Sequence, residues 1–266
     1  MKKRFTHFAL TTLAIILTAC RTVPETGRKG LSLVSDEMLA NLSEVSFNQL
    51  KEKDKVSKNK AYNQQLDRVA RAIITQANQT TDLPPVSQWE WVVFDNDEVV
   101  NAFAMPGGKI GVYTGMFDLI ETDDDLAVVI GHEAAHVAAH HGNERVSRVL
   151  LITGVGIGLG VATGGQDADT QRAILAAYGL GSTVGVALPF SRRDESEADH
   201  IGLLYSSRAG YDPRVSIPFW EKMGAQSKFK MPEFLSTHPS HNTRIRNLEV
   251  LMPQALAEYN EATRNK

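Results

Sequence analysis

His132-Glu133-Ala134-Ala135-His136 is the segment with the clearest chemistry. It lies in a helix-patterned run from Asp123 to His141. Residues four apart share a helix face, so both imidazoles point at one spot where a zinc ion could sit. Glu133 is rotated one residue away, beside that spot, where a carboxylate can take a proton from water. Catalytic zinc wants three protein ligands and a water. The one cysteine, Cys20, is near the amino terminus, so a carboxylate or a third histidine must complete the set. In Ser191–Gly202 a helix places Glu195 and Asp199 on one face. Glu195 is the expected ligand, and Asp199 the acceptor for the second ring N–H of a ligand histidine. Taken alone, such an acidic pair marks a solvated helix face. Glu197, on a different face, is the rival ligand. His140 lies a full turn beyond His136, too far along one axis for a tetrahedral ion, and is assigned to packing or surface.

The surrounding elements can be read from patterning. Arg21 to Ser35 is polar, with Pro24, Gly27 and Gly30, and reads as a tether. Asp36 to Lys51 has helical spacing. Leu66, Val69, Ala70, Ile73 and Ile74 form one stripe, predicting an amphipathic helix over Ala61–Ala77. Gln88 to Phe94 reads as a strand. Phe103–Met105 and Ile110–Thr114 flank Pro106-Gly107-Gly108 as a hairpin. The metal helix follows, with Thr122 or Asp123 as N-cap. Val149–Thr163, about fifteen residues and Gly-rich, is short for a membrane span and reads as a buried or interfacial helical segment. Leu180–Phe190 is expected to cover the cleft. Pro213–Gly224 and Asn242–Ala262 read as closing helices, the second interrupted near Pro253. The expected fold is α+β, mainly helical, with a small antiparallel sheet packed on the metal helix.

H-E-x-x-H followed by Glu195-x-x-x-Asp199 resembles the gluzincin metallopeptidases of family forty-eight, the group containing HtpX, BepA, LoiP and the CAAX prenyl proteases. The resemblance runs from about Leu66 to about Leu248. It implies one Zn2+ per chain on His132, His136 and Glu195, with Glu133 as general base and Asp199 as outer partner. Asn101-Ala102-Phe103-Ala104 resembles the edge strand bordering the cleft in that family, on which an extended substrate can add by main-chain hydrogen bonds. Ser236-Thr237-His238-Pro239 and Arg244 resemble its late His and Arg pair. By that likeness His238 and Arg244 hold substrate or the developing oxyanion. The resemblance leaves His238 a second possibility, occupying the open zinc position at rest. Read without it, His238 is a loop histidine and Arg244 a surface arginine.

The first residues give an address. Met1-Lys2-Lys3-Arg4 is a basic start, Phe8–Leu17 is apolar, and Leu17-Thr18-Ala19-Cys20 resembles a bacterial lipobox. That implies a signal peptide over 1–19, an acylated Cys20 with a tether over 20–45, and a catalytic domain over 46–266. Arg21 in place of Asp implies the outer membrane, facing the periplasm. With no second cysteine there is no disulfide framework. A formal net charge of −3 among 266 residues gives no basic footprint for nucleic acid.

The expected function is a membrane-anchored zinc endopeptidase acting on unfolded or misassembled envelope polypeptides. Its expected partners are those polypeptides, outer-membrane lipid through Cys20, and outer-membrane assembly machinery or a related peptidase. The alternative is a chaperone-like assembly factor for outer-membrane proteins, with a structural or self-plugged zinc site.

Overall fold

The computed structural model describes residues 20–153, 190–226, 232–238 and 243–264. In chain order its elements are β1 (Cys20–Thr22), β2 (Lys29–Leu31), α1 (Asp36–Lys53), α2 (Lys60–Ala77), β3 (Glu90–Phe94), β4 (Ala102–Met105), β5 (Lys109–Tyr113), α3 (Asp123–Ala138), α4 (His141–Thr153), α5 (Arg192–Arg208), α6 (Ser216–Gln226), α7 (Glu233–Thr237) and α8 (Arg244–Thr263). The fold is α+β and mainly helical, as expected. Among the described residues no helix is long and apolar enough to cross a membrane. Residues 1–19, most of Leu180–Phe190, and Val149–Thr163 beyond Thr153 lie outside the described residues, with the expectations placed on them.

Helices α3 and α5 form the centre, and both start with the same device. Thr122 accepts from the Asp125 N–H, and the Asp125 carboxylate accepts from the Thr122 N–H. Ser191 and Asp194 repeat this at the start of α5. Such reciprocal caps satisfy otherwise orphaned N–H groups and contribute about 1 kcal/mol each. The two helices cross where neither has a side chain. A Cβ on Gly202 would lie 2.7 Å from the backbone of Gly131 and His132. Close contact at Gly131 and Gly202 therefore sets the spacing between the helix that bears His132 and His136 and the helix that bears Glu195. Gly202→Ala is expected to cost about 1–3 kcal/mol by overpacking, read as a lower midpoint of thermal unfolding.

Helix α2 buries the predicted stripe Leu66, Val69, Ala70, Ile73 and Ile74 against this pair, in one core with Leu126, Val129, Ile130 and Ile201. The sheet beside α3 has strand order β3-β5-β4. Strand β4 pairs antiparallel with β5 around the expected turn, where Gly107 and Gly108 have φ of 78° and 80°, a region open to glycine. Strand β3 pairs parallel with β5, so this sheet is mixed. A second, antiparallel pair joins β1 and β2.

Several local expectations change. The run Asp123–His141 is not one helix: it stops at Ala138, and His140 takes φ 55°, a left-handed conformation for which His is enriched. Chain direction changes there, and α4 begins at His141. Helix α8 continues through Pro253. An interior proline costs about 3 kcal/mol, and burial of Leu248 alone returns about 1.5–3 kcal/mol, with Ala255 buried beyond it. Arg21–Ser35, read as a tether, is packed on the domain: Val23 joins the main core, and the Leu33 N–H donates to Ser147 Oγ at 2.9 Å. Polar composition misleads there because the segment is held by ion pairs to distant helices.

Candidate metal centre

One turn of α3 presents His132 and His136, and the first turns of α5 present Glu195 and Asp199. His238 arrives from the end of α7, which is fixed by a Phe234 N–H to Val100 carbonyl bond of 3.1 Å. The result is a buried cluster in which His132, His136, Glu195 and His238 each offer a donor atom, all within 4.8 Å of one another. His132 Nε2 is 3.1 Å from His136 Nε2 and 3.5 Å from Glu195 Oε2. His136 Nε2 is 3.4 Å from Glu195 Oε1. His238 Nδ1 is 3.3 Å from His132 Nε2 and 3.2 Å from Glu195 Oε1. A tetrahedral ion with bonds of about 2.0–2.1 Å spaces its ligand atoms about 3.3 Å apart, so the donor set fits a zinc ion.

Protonation agrees. Asp199 Oδ1 lies 2.9 Å from His132 Nδ1; its carboxylate fixes the proton there and turns a lone pair into the cluster. Without a cation, burial lowers the His132 pKa, but Asp199 and Glu195 outweigh it and push it up to about 9. The cluster calls for positive charge. Burial opposes ionisation of Glu195, yet His238, His132 and His136 hold its carboxyl well below the usual range. Asp199→Asn is expected to weaken zinc binding about 10–100-fold, checked by competition with a chromophoric chelator.

Glu133 stands next to the ligands without joining them. Burial pushes its carboxyl pKa up, the charges of His238 and His132 and then a backbone hydrogen bond from Ala104 partly offset that, and Oε1 has no hydrogen-bond partner. His238 Nε2 is 3.5 Å from the same oxygen. His238 therefore spans the ligand cluster and the base, a more central place than the edge of the cleft.

Arg244 departs from expectation. It is 2% exposed, with Nε donating to Asp199 Oδ2 at 2.6 Å and Nη2 to Glu195 Oε2 at 3.0 Å. Its guanidinium stacks over Trp220 at 4.0 Å. It contacts the ligand Glu195 and its neighbour Asp199, and orients both carboxylates. Glu197 is not a ligand either. It is 2.9 Å from His141 Nε2, while His141 Nδ1 is 2.9 Å from His136 Nδ1. Burial raises the Glu197 pKa, but hydrogen bonds from His141, Thr26 and Arg28 outweigh it and bring it down to about 2. His141, the outer partner of His136, escaped the sequence reading: at i+5 it faces away on a straight helix, and only the turn at His140 brings it back.

Of the edge-strand residues, Ala104 faces the site. Together with His136, Leu39, Leu83, Pro106 and Phe190 it lines a cavity of ≈340 Å³ beside the cluster. Phe103 packs with Phe47, Phe94 and Tyr113 on the other face. Asn101 is tied to Glu233 at 3.2 Å. Phe190 stacks on His136 with ring centroids 4.1 Å apart. Cys20 is exposed.

The profile of Peptidase family M48 matches residues 60–251, a stretch that contains every donor of the cluster. The chain belongs to that family. Human "Metalloendopeptidase OMA1, mitochondrial" is 32% identical over 257 residues, covering 94% of this chain and 49% of the human protein. The Arabidopsis thaliana mitochondrial OMA1 is 38% identical over 184 residues, covering 68% and 36%. The "Beta-barrel assembly-enhancing protease" of Escherichia coli K12 is 26% identical over 229 residues, covering 84% and 46%. The chain thus spans about half, or less, of these relatives. The M48 assignment agrees with the H-E-x-x-H helix, the carboxylate from α5 and the buried donor set.

Proposed function

We propose that this chain is a zinc-dependent endopeptidase that cleaves unfolded or misassembled envelope polypeptides while anchored by an acylated Cys20 to the periplasmic face of the outer membrane. The observation that carries the enzymatic part is the convergence of His132, His136, Glu195 and His238, with Glu133 buried alongside. Zinc held by His132, His136 and Glu195 supplies a Lewis acid for a carbonyl oxygen and an acidified water. Glu133 takes the proton from the attacking water and returns it to the leaving amine; burial, by raising its pKa, suits it to both transfers. Asp199 and His141 hold the two ligand imidazoles in orientation. The open edge of β4 aligns an extended backbone, which favours unfolded segments over folded domains. The relatives' names support peptidase activity and, in the bacterial case, a setting in β-barrel assembly. The lipobox-like Leu17–Cys20 supports the anchor.

The fourth donor favours a second reading. His238 Nδ1 in the cluster and Nε2 toward Glu133 support a self-plugged resting site, as an assembly factor with a structural zinc would have it. One experiment separates the two. Purified full chain is assayed for zinc content, casein cleavage and suppression of aggregation of an unfolded outer-membrane protein, with and without chelator. The endopeptidase reading expects one zinc per chain and cleavage that chelator abolishes and added zinc restores. Bound zinc with no cleavage, and protection that chelator leaves intact, would favour the assembly factor. A chain with no zinc would sink both.

A further inference from the structure

The N-terminal ribbon reaches the metal centre. Val23 is buried in the core, and Glu25 Oε1 is 2.8 Å from Arg208 Nη1. At Gly30 a Cβ would collide with Glu144, so the ribbon lies tight against α4. Arg28 bridges two buried carboxylates: its Nε donates to Glu197 Oε2 and its Nη2 to Glu144 Oε1, each at 2.5 Å. The Thr26 hydroxyl donates to Glu197 Oε1. Glu197 Oε2 also faces His141 Nε2, and His141 Nδ1 faces His136 Nδ1.

We infer that Arg28 is a positioning residue for the metal centre, acting on His136 through Glu197 and His141, so that the segment directly after Cys20 is a working part of the site. The proton order follows from donor chemistry. A carboxylate held by Arg28 and Thr26 can only accept, so His141 donates its Nε2–H to Glu197. His136 turns Nε2 to the cluster, so as a ligand it carries its own proton on Nδ1 and gives it to His141 Nδ1. That leaves the His136 lone pair on Nε2, the atom that faces His132 and Glu195. Arg28 suits the post because its planar fork meets two carboxylates at once, which an ammonium cannot do with the same geometry. Arg28 and Thr26 precede residues 60–251, the stretch matched by the family profile, but lie within the 94% of the chain that aligns with the human relative.

The inference rests on the zinc reading above, and its test reads zinc affinity, not cleavage. Full-length wild type, Arg28→Ala, Arg28→Lys and Glu197→Gln are titrated against a chromophoric zinc chelator, and the thermal midpoint of each metal-free form is recorded. Arg28→Ala and Glu197→Gln are expected to weaken zinc binding about 10-fold or more, with Arg28→Lys between wild type and Arg28→Ala. Should Arg28→Ala fail to fold, the isosteric Glu197→Gln decides. Affinities within twofold of wild type, whatever happens to the thermal midpoint, would overturn the inference and leave Arg28 a purely structural clamp. Wild type that takes up no zinc would remove the zinc reading as well; wild-type uptake with unaffected variants removes this inference alone.

Discussion

Glu133→Gln is expected to lower peptide cleavage by about 10²–10⁴-fold, the usual worth of a positioned general base, with zinc content unchanged. Glutamine keeps the shape and the burial of a side chain that is 1% exposed, but it cannot accept a proton. Zinc should remain because Glu133 is not among the donor atoms that converge within 4.8 Å. The carboxyl is held ready by its surroundings: burial raises its pKa, and Oε1 is free of hydrogen bonds. Cleavage of casein and zinc content are to be measured on the same preparation. Native-rate cleavage would eliminate Glu133 as the base. Loss of zinc along with activity would instead mean that Glu133 helps hold the ion.

Arg244→Ala should do most of its damage before any chemistry begins. Arg244 neutralises Asp199 and Glu195 at buried positions, where burial alone would push those carboxyls up; Arg244 is the leading influence holding the Asp199 carboxyl below its ordinary range. Removing one partner from a buried charge cluster costs about 3–5 kcal/mol, a large share of the 5–15 kcal/mol that typically separates folded from unfolded chains. The stack on Trp220 is lost as well. The expected result is a lower denaturant midpoint for the metal-free protein and weakened zinc binding, with Arg244→Lys intermediate because an ammonium cannot bridge both carboxylates as the fork does. An oxyanion role makes the opposite forecast: normal stability, normal zinc affinity and a reduced kcat. The two outcomes are readily told apart.

These cases show which features local sequence can reveal. Two histidines four apart on a helix, and a glutamate and an aspartate four apart on another, are periodic signals, and periodicity survives folding because a helix fixes it locally. Hence His132, His136, Glu195 and Asp199 were legible, as was the buried stripe of α2. The hairpin around Gly107 and Gly108 was legible because its turn demands positive φ. What defeats local reading is a contact between residues far apart in the chain. Arg244 reads as a surface arginine until Trp220, Asp199 and Glu195 surround it. Arg21–Ser35 reads as a tether until Arg28 meets Glu144 and Glu197. Pro253 reads as a helix break until burial on both sides of it offsets the cost.

The sequence alone pointed to the His132/His136 and Glu195/Asp199 pairs, to Glu133 beside them and to the helices that carry them, since each depends on spacing within a single element. Only the tertiary structure shows His238 among the four converging donor atoms, Arg244 buried against Asp199 and Glu195, and Arg28 and His141 linked to His136 through Glu197. Those assignments rest on which distant surfaces meet and lose water together, and burial, which gives each of these charges its strength, has no local signature in the chain.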